Sequence, residues 1–316
     1  MSAIHTTSLS KVYRYHRSRP GLTGAVRDLF HRQRGERAAV EGLDLEIQSG
    51  EFVGLLGRNG AGKTTTLKML SGLLRPTSGE VRVLDHEPRR RGFDFLRRIA
   101  IVLGNKSMLW WDVSTYANLQ LYEALYDLDH HAFTDSVAEL GHLLEISDQL
   151  DIPVRKLSLG ERMKCELMLA LIHRPDVLFL DEPTIGLDVV SKAAIRDFLR
   201  TLNAERGTTI VLTSHDMDDI DQLCPRVLLI DHGRLEFDGP PDELIRMTSP
   251  RKRVVCTFAD GSQVIEEIDR AEVSDWVATL AARGTLADLE VRDADLDEVM
   301  RQVLGAASDG VQGGAR

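Results

Sequence analysis

The segment that decides the fold is Gly57-Arg58-Asn59-Gly60-Ala61-Gly62-Lys63-Thr64-Thr65, and regular elements are predicted on both sides of it. The apolar run Phe52–Leu56 before it is typical of a buried strand, and residues 65–70 after it open a helical pattern. Its three glycines allow the backbone to form a concave nest of N–H groups around an anion, and the helix adds the positive end of its dipole. The sequence therefore predicts a strand, a phosphate-binding loop and a helix, in that order.

The side chains that follow the glycines fit a nucleoside triphosphate with a bound cation, which is the Walker A pattern. Lys63 is expected to reach the β- and γ-phosphates, and Thr64 to offer its hydroxyl to Mg²⁺. A chance glycine-rich turn between a strand and a helix is the alternative, which the flanking elements disfavour. The loop residues predicted to contact the nucleotide are Gly57, Arg58, Asn59, Gly60, Ala61, Gly62, Lys63, Thr64 and Thr65.

The composition of the 316 residues is that of a soluble globular protein, since 43% are hydrophobic and 28% charged, and the length suggests roughly two domains. No apolar run approaches the ~20 residues of a membrane-spanning helix, and no secretory signal is visible. The scattered residues Cys165, Cys224 and Cys256 favour buried, reduced thiols in a cytoplasmic protein. The net charge of −10 argues against nucleic acid as a partner.

Positive charge is concentrated in a basic insert at about residues 14–38. Its arginines are Arg14, Arg17, Arg19, Arg27, Arg32, Arg34 and Arg37. Such a segment could contact anionic lipid headgroups or an acidic partner. It could equally be a solvated excursion of the surface, because charge runs often have no further role. The pattern leaves both interpretations open.

Strand and helix patterns alternate along most of the chain, which predicts an α/β fold with a mostly parallel sheet covered on both sides. Strands are expected at residues 4–9 and 43–47, on either side of the insert, and helical spacing replaces them over about residues 112–174. Near Pro250 the pattern becomes that of a small α+β unit. The expected units are a main domain at 1–245, an accessory domain at 250–305 and a disordered tail at 306–316.

The apolar strand pattern at residues 177–180 ends in two acids, Asp181 and Glu182, which is the Walker B arrangement. Asp181 is expected to hold Mg²⁺, and Glu182 to polarise the attacking water as a general base. Two acids at the end of a strand are common on their own, but they are improbable as a coincidence beside a Walker A loop. The sequence therefore predicts nucleotide hydrolysis as well as binding.

A second anion site is predicted in the segment Leu157-Ser158-Leu159-Gly160-Glu161, which precedes a long helix. Ser158 and Gly160 can offer a hydroxyl and a backbone N–H group at the helix N-terminus. One nucleotide needs one phosphate cradle, so a second cradle in the helical region suggests that it completes the site of another subunit.

Three segments together resemble the ATPase subunits of ABC transporters. Residues 157–161 resemble the LSGGQ signature of that family, Ile185-Gly186-Leu187-Asp188 resembles its D-loop, and Thr213-Ser214-His215-Asp216 matches its switch-histidine segment. Their order and spacing agree with the family over residues 1 to about 240. The resemblance implies a P-loop NTPase core with a mostly parallel sheet, an antiparallel β subdomain and a helical insertion. It also implies ATP and Mg²⁺ as ligands and a homodimer with two ATP molecules between its subunits.

The resemblance further implies roles for individual residues. Tyr13 resembles the aromatic residue that stacks on adenine, and an ordinary tyrosine at a strand edge is the alternative. His215 would contact the γ-phosphate and hold Glu182 and the water in line, and Asp188 would lie at the dimer seam. The residues implied to contact the ATP of the other subunit are Ser158, Gly160 and Glu161.

Some positions depart from the family pattern. Asn105 stands where a glutamine usually contacts Mg²⁺, and a bridging water could compensate for its shorter side chain. Leu159 and Glu161 stand where glycine and glutamine are usual, and Arg58 replaces a common proline. None of these changes removes a catalytic group, so ATP hydrolysis is expected.

The segment Leu109-Trp110-Trp111-Asp112 suggests a contact with a membrane subunit. In the family this face of the helical insertion receives the transmembrane subunit, and aromatic anchors suit such a groove. The alternative is one core tryptophan with an incidental neighbour. Coupling to the partner is thus expected through Asp188, Trp110 and Trp111.

Together with Pro20-Gly21-Leu22 and Leu29-Phe30, the tryptophan segment resembles a branch of bacterial export ATPases with separately encoded permeases. The resemblance implies a location at the cytoplasmic face of the cell membrane, through the permease, and a supporting role for the C-terminal unit. The alternative is a soluble ABC-type ATPase that is not coupled to transport. The cargo contacts the permease, so this chain does not encode its identity.

Overall fold

The computed structural model describes residues 2–17, 33–104, 106–214, 216–248, 251–282 and 285–293. Contacts divide the chain into two compact units, Met1–Asp238 and Gly239–Arg316. In the described part of the chain, no helix has the length and apolar character that a membrane crossing requires.

A six-stranded sheet forms the core of the first unit. Its strands are β3 (Phe52–Leu56), β5 (Ile99–Leu103), β6 (Val177–Asp181), β7 (Thr209–Thr213), β8 (Arg226–Asp231) and β9 (Arg234–Gly239), after β1, β2 and β4 of a second sheet. The order is β5-β6-β7-β3-β8-β9, and the first five strands pair in parallel. β3, β6 and β7 are buried along their whole length, as expected of parallel strands covered on both faces. The predicted mostly parallel α/β core is confirmed.

The second sheet of this unit is antiparallel, with the order β2-β1-β4. Its strands are β1 (Ser2–Arg17), β2 (Gln33–Gln48) and β4 (Ser78–Val83). The sequence placed the first strand at residues 4–9 and began the basic insert at residue 14, and this boundary is wrong. β1 and β2 stay paired as far as Arg17 and Gln33. The ladder continues because backbone groups carry it and charged side chains pair across it, as Arg14 Nε does with Glu36 Oε1 at 2.9 Å.

Helices cover the sheets and form the helical insertion. They are α1 (Lys63–Leu70), α2 (Phe93–Leu96), α3 (Thr115–Tyr126), α4 (His130–Leu143), α5 (Leu159–Leu171), α6 (Val189–Arg206) and α7 (Met217–Leu223). Side chains that prefer N-cap positions begin several of them: Ser114 caps α3, Asp129 caps α4 and Ser158 caps α5. The stretch predicted to be helical therefore contains three capped helices.

The second unit contains a small antiparallel sheet with the order β11-β10-β12. Its elements are α8 (Pro241–Thr248), β10 (Arg251–Phe258), β11 (Gln263–Asp269), α9 (Val273–Ala281) and β12 (Leu286–Asp293). A small apolar cluster holds α9 against the sheet through Val254, Cys256, Ile268 and Leu280. Three predicted segments lie outside the described residues: the middle of the basic insert (18–32), a helical pattern at residues 295–304 and the predicted tail.

Candidate nucleotide site

The phosphate-binding loop lies between β3 and α1, and two of its glycines have no room for a side chain. Gly57 has φ +144°, and a Cβ there would overlap the carbonyl oxygen of Ile230. Gly62 has φ +116°, and its Cβ would overlap the carbonyl oxygen of Ala39. Both conformations favour glycine, and both close approaches require it. The glycine spacing thus follows from the way β2 and β8 hold the back of the loop.

Lys63 lies inside this loop and is buried. Its Nζ donates to the carbonyl oxygens of Gly57 at 2.6 Å and Arg58 at 3.2 Å. Burial lowers the pKa of the Lys63 ammonium, and the negative charges of Glu182 and Asp181 oppose that shift. The ammonium is therefore held at the centre of the loop by backbone oxygens and two nearby acids.

Asp181, at the end of β6, lies beside Thr64 at the start of α1 and beside the end of β7. The Thr64 hydroxyl donates to Asp181 Oδ1 and Oδ2 at 2.8 and 3.0 Å. Thr213, at the end of β7, donates its hydroxyl to Asp181 Oδ1 at 2.8 Å. The sequence named Thr213 only as part of the switch-histidine segment and gave it no role of its own, although its place at the end of a strand was a usable signal. Hydroxyl and carboxylate oxygens are ligands that Mg²⁺ accepts together with phosphate and water, so this donor set fits the ion.

Glu182 follows Asp181 in a left-handed backbone conformation with φ +57°. Its N–H donates to the backbone oxygen and the hydroxyl of Thr213, at 3.0 and 3.1 Å. Gly104 packs against this turn, because its N–H donates to the Asp181 carbonyl at 2.8 Å. The turn thus presents the Glu182 carboxylate to the cleft. The predicted site residues Asn105 and His215 lie outside the described residues.

These elements surround a cleft of about 660 Å³. The residues that line it are Tyr13, Arg37, Ala39, Arg58, Asn59, Gly60, Gly62, Lys63, Thr64, Thr65, Gly104, Asp181, Glu182 and Ile185. Tyr13 therefore shares a cleft with the predicted phosphate loop and both acids. The ring of Tyr15, two residues later in β1, lies instead across Gly35.

Arg37 is a cleft residue that sequence reasoning counted only as part of the basic insert. The usable signal was strand register: its Cα is paired with that of Tyr13 in the β1–β2 ladder. The basic insert was interpreted as an interruption between two strands, so this pairing was not predicted.

The signature segment, residues 157–161, forms the start of α5. Ser158 caps the helix, and Glu161 Oε2 accepts from the Ser158 N–H and hydroxyl, both at 2.8 Å. Those hydrogen bonds lower the pKa of Glu161. Among the described residues that line the cleft, none comes from this segment.

The signature segment instead meets the start of α6 in the same chain. A Cβ on Gly160 would overlap Ser191 Oγ and lie 2.9 Å from Ser191 Cβ. Asp188 caps α6, since its carboxylate accepts from the Ser191 N–H at 2.9 Å and from its hydroxyl at 2.7 Å. Leu159 points to a more open position and is 45% exposed. The second glycine of the signature is therefore required, whereas the position of the first tolerates leucine.

Trp110 and Trp111 are both at the surface, 64% and 50% exposed. The alternative of one core tryptophan is therefore wrong. Asn118 Oδ1 accepts from the Trp110 N–H at 2.7 Å, and the Arg162 guanidinium lies 4.6 Å from the centre of the Trp111 ring. The Trp110 backbone is thus held by a hydrogen bond, while both tryptophan rings are exposed at the surface.

Glu166, a residue of α5, binds the segment that precedes Trp110 in the chain. Its buried carboxylate accepts from the Ser107 hydroxyl and from the N–H groups of Met108 and Leu109, the Met108 bonds being 3.0 and 3.1 Å. Burial raises the pKa of Glu166, and these donors oppose the rise. Sequence reasoning did not identify this contact, although an acid next to Cys165 and Leu167 on a buried helix was a signal.

Comparison with known proteins agrees with this site. The family model "ABC transporter" matches residues 40–185. A fluoroquinolones export ATP-binding protein of Mycobacterium tuberculosis is 34% identical over 279 residues, which are 87% of this chain and 91% of that protein. The ABC transporter ATP-binding protein NatA of Bacillus subtilis is 35% identical over 206 residues, 65% of this chain and 83% of that protein.

Among solved structures, cbiO1 from Clostridium perfringens, part of the ABC transporter complex cbiONQ, superposes with a TM-score of 0.63 at 25% identity. The match covers 78% of this chain and 94% of that one. The family match, the relative matched over nearly its whole length and the shared fold agree with the loop, the strand-end acids and the signature segment. The chain belongs to the ATP-binding subunits of ABC transporters, and it is an ATP-hydrolysing enzyme.

Proposed function

We propose that the chain is the motor of an export ABC transporter, in which two copies bind ATP between them and drive a separate membrane permease. The observation that carries the proposal is the cleft, because Lys63, Asp181, Glu182 and Tyr13 all line it. Lys63 supplies a cation for the triphosphate, and Asp181 pairs with a hydroxyl that can hold its metal ion. Glu182 is a second acid that can act in hydrolysis.

The ion of this site would be Mg²⁺, held by the Thr64 hydroxyl and the Asp181 carboxylate. When bound it supplies charge neutralisation at the β- and γ-phosphates. Thr213 orients the Asp181 carboxylate, and the loop nest with Lys63 orients the phosphates. Glu182 would accept a proton from the attacking water at its carboxylate.

Replacement of the base tests this assignment. Glu182→Gln is expected to bind ATP and to hydrolyse it roughly 100-fold or more slowly, since positioned bases contribute that much. Glu41→Gln is the matched control, because Glu41 is an exposed acid that pairs with Arg234 Nη2 at 3.2 Å. Near-normal turnover of Glu182→Gln, with the same ATP affinity, would refute the assigned role.

The second half of each ATP site would come from another copy of the chain. Ser158, Gly160 and Glu161 lie at a helix N-terminus outside the cleft of their own chain, which supports an anion contact in trans. Val189 and Val190, which follow Asp188, are 83% and 79% exposed, and such an apolar pair is suited to a subunit contact. Closure would follow from contacts that only the γ-phosphate supplies.

An ATP-dependent change of mass tests the dimer. Glu182→Gln should elute as a dimer with ATP and as a monomer with ADP, and the further change Ser158→Ala should weaken the ATP-dependent dimer. A Glu182→Gln variant that binds ATP and stays monomeric at every protein concentration would contradict the shared site.

The permease contact would lie at Trp110 and Trp111, whose rings are exposed on a backbone fixed by Asn118 and Glu166. Exposed aromatic anchors on a rigid support are typical of interface hot spots. The mycobacterial relative is an export protein, which supports export as the direction. The chain would then reside at the cytoplasmic face of the membrane, and its C-terminal unit would support dimerisation or regulation.

Capture from native membranes tests the contact. The wild type should retain an integral membrane subunit, and the double variant Trp110→Ala/Trp111→Ala should lose it while its basal ATP hydrolysis remains. Met247→Ala removes another exposed apolar side chain and serves as control. Equal recovery with the double variant would refute this docking site, and a complete lack of membrane partners would favour the uncoupled ATPase.

A further inference from the structure

Arg37 is a positively charged residue in the nucleotide cleft, and the resemblance to the family assigned it no role. It belongs to the wall formed by β1 and β2, where its Cα is paired with that of Tyr13. Directly opposed residues of an antiparallel ladder place their side chains on the same face of the sheet. Arg37 and Tyr13 therefore face the cleft side by side, and both line it.

The guanidinium of Arg37 borders the phosphate-binding loop. A Cβ on Gly60 would lie 3.3 Å from Arg37 Nη2, so the charged end of the side chain lies next to the loop. The cleft that holds Arg37 also holds Lys63 and Thr64. Arg37 is exposed, so its side chain can change rotamer next to that loop.

The charge of Arg37 is not taken up by a neighbouring acid within the described part of the chain. Arg14, one residue beyond Tyr13 in β1, differs in this respect, because its Nε donates to Glu36 Oε1 at 2.9 Å. Two arginines of one hairpin thus have different surroundings: one pairs across the ladder, and the other faces the nucleotide cleft.

We propose that Arg37 binds the phosphates of the nucleotide as a second cation, in addition to Lys63. The proposal rests on ATP binding in this cleft. Asp181 and Glu182 bring negative charge to the same cleft, and the chain as a whole has a net charge of −10. This charge repels a polyanionic ligand, so each cation that faces the cleft strengthens the binding of such a ligand. A guanidinium can donate two parallel hydrogen bonds to phosphate oxygens, which gives it geometric selectivity as well as charge.

The test measures dissociation constants of the wild type and of Arg37→Ala, Arg37→Lys and Arg14→Ala for ATP, ADP and adenosine. Arg37→Ala is expected to weaken ATP and ADP about tenfold, the lower end for hydrogen bonds to a charged group. The loss should shrink at high salt, because solvent-exposed charge pairs are screened. Arg37→Lys should recover part of the affinity, and adenosine binding should not change. Arg14→Ala removes the same charge from the same hairpin and should leave all three constants unchanged.

Each other outcome overturns a defined part of the reasoning. If Arg37→Ala binds ATP like the wild type while Lys63→Ala loses binding, Arg37 has no such role and the nucleotide cleft stands. If Arg37→Ala weakens adenosine as much as ATP, the guanidinium acts on the base and the phosphate assignment is wrong. If the wild type itself does not bind ATP, the nucleotide site fails together with the role of Arg37.

Discussion

The substitution Gly160→Ala tests whether the signature segment and the start of α6 are packed as one unit. A methyl group at this position would overlap Ser191 Oγ and lie 2.9 Å from Ser191 Cβ, so Ser191 must move. Overpacking of this kind costs about 1–3 kcal/mol, and loss of the Asp188 cap, which holds Ser191, costs about 1 kcal/mol more. Alanine returns up to about 1 kcal/mol through its higher helix propensity. The net expected loss of unfolding free energy is about 1–4 kcal/mol.

Denaturant unfolding of four proteins measures this loss: wild type, Gly160→Ala, Ser191→Gly and the double variant. Ser191→Gly removes both atoms that the new methyl group would meet, so the double variant should recover at least about 1 kcal/mol relative to the sum of the single changes. Leu159→Ala is the matched control, because its side chain is 45% exposed, and it should change stability by about 0.5 kcal/mol or less. Additive effects in the cycle, or a Gly160→Ala variant as stable as the wild type, would refute the packing argument.

Three further predictions concern the site and the thiols. Thr213→Val removes the hydroxyl that donates to Asp181, so it should lower the rate of ATP hydrolysis and destabilise the fold by about 1–2 kcal/mol, measured by turnover and denaturant unfolding. Hydrogen bonds from Ser158 lower the pKa of Glu161, so its contribution to stability is present above the unfolded-state pKa and is lost as pH falls through the folded-state pKa. Glu161→Gln should therefore flatten the acid limb of the stability profile, and an unchanged limb would contradict this. Burial raises the pKa of Cys165 to about 11, so iodoacetamide at neutral pH should modify it only after denaturation, as peptide mass mapping would show.

Local chemistry explains why the phosphate loop and the two acids could be predicted from the sequence. Gly57, Gly62 and Lys63 are read from one short segment with a known spacing, although the close approaches to the glycines come from Ile230 and Ala39. Asp181 and Glu182 are placed by the end of a strand that is apolar along its whole length. Each of these residues could therefore be identified as a candidate from a few neighbouring positions of the chain.

Residues whose role depends on pairing between distant segments could not be predicted in the same way. Arg37 faces the cleft because β2 pairs with β1 in one register, and a shift of one residue would turn it to the other face. The buried Glu166 carboxylate is satisfied by hydrogen-bond donors from Ser107 and Met108, in a loop about sixty residues earlier, which no helical periodicity reveals. The boundary of the basic insert was predicted wrongly for the same reason, since composition describes side chains and a ladder is formed by the backbone.

The helix α5 would give the proposed ATP contact and the proposed permease contact a common support. It begins at the signature segment, and one turn later Arg162 lies over Trp111. One turn further on, Glu166 holds the N–H groups of Met108 and Leu109. A helix rises about 1.5 Å per residue, so these attachments lie within roughly 11 Å of the helix start at Leu159, the end proposed to meet the ATP of the other copy. Because a single short helix carries both ends, a displacement of its first turn on the proposed dimer closure would move the tryptophan segment with it.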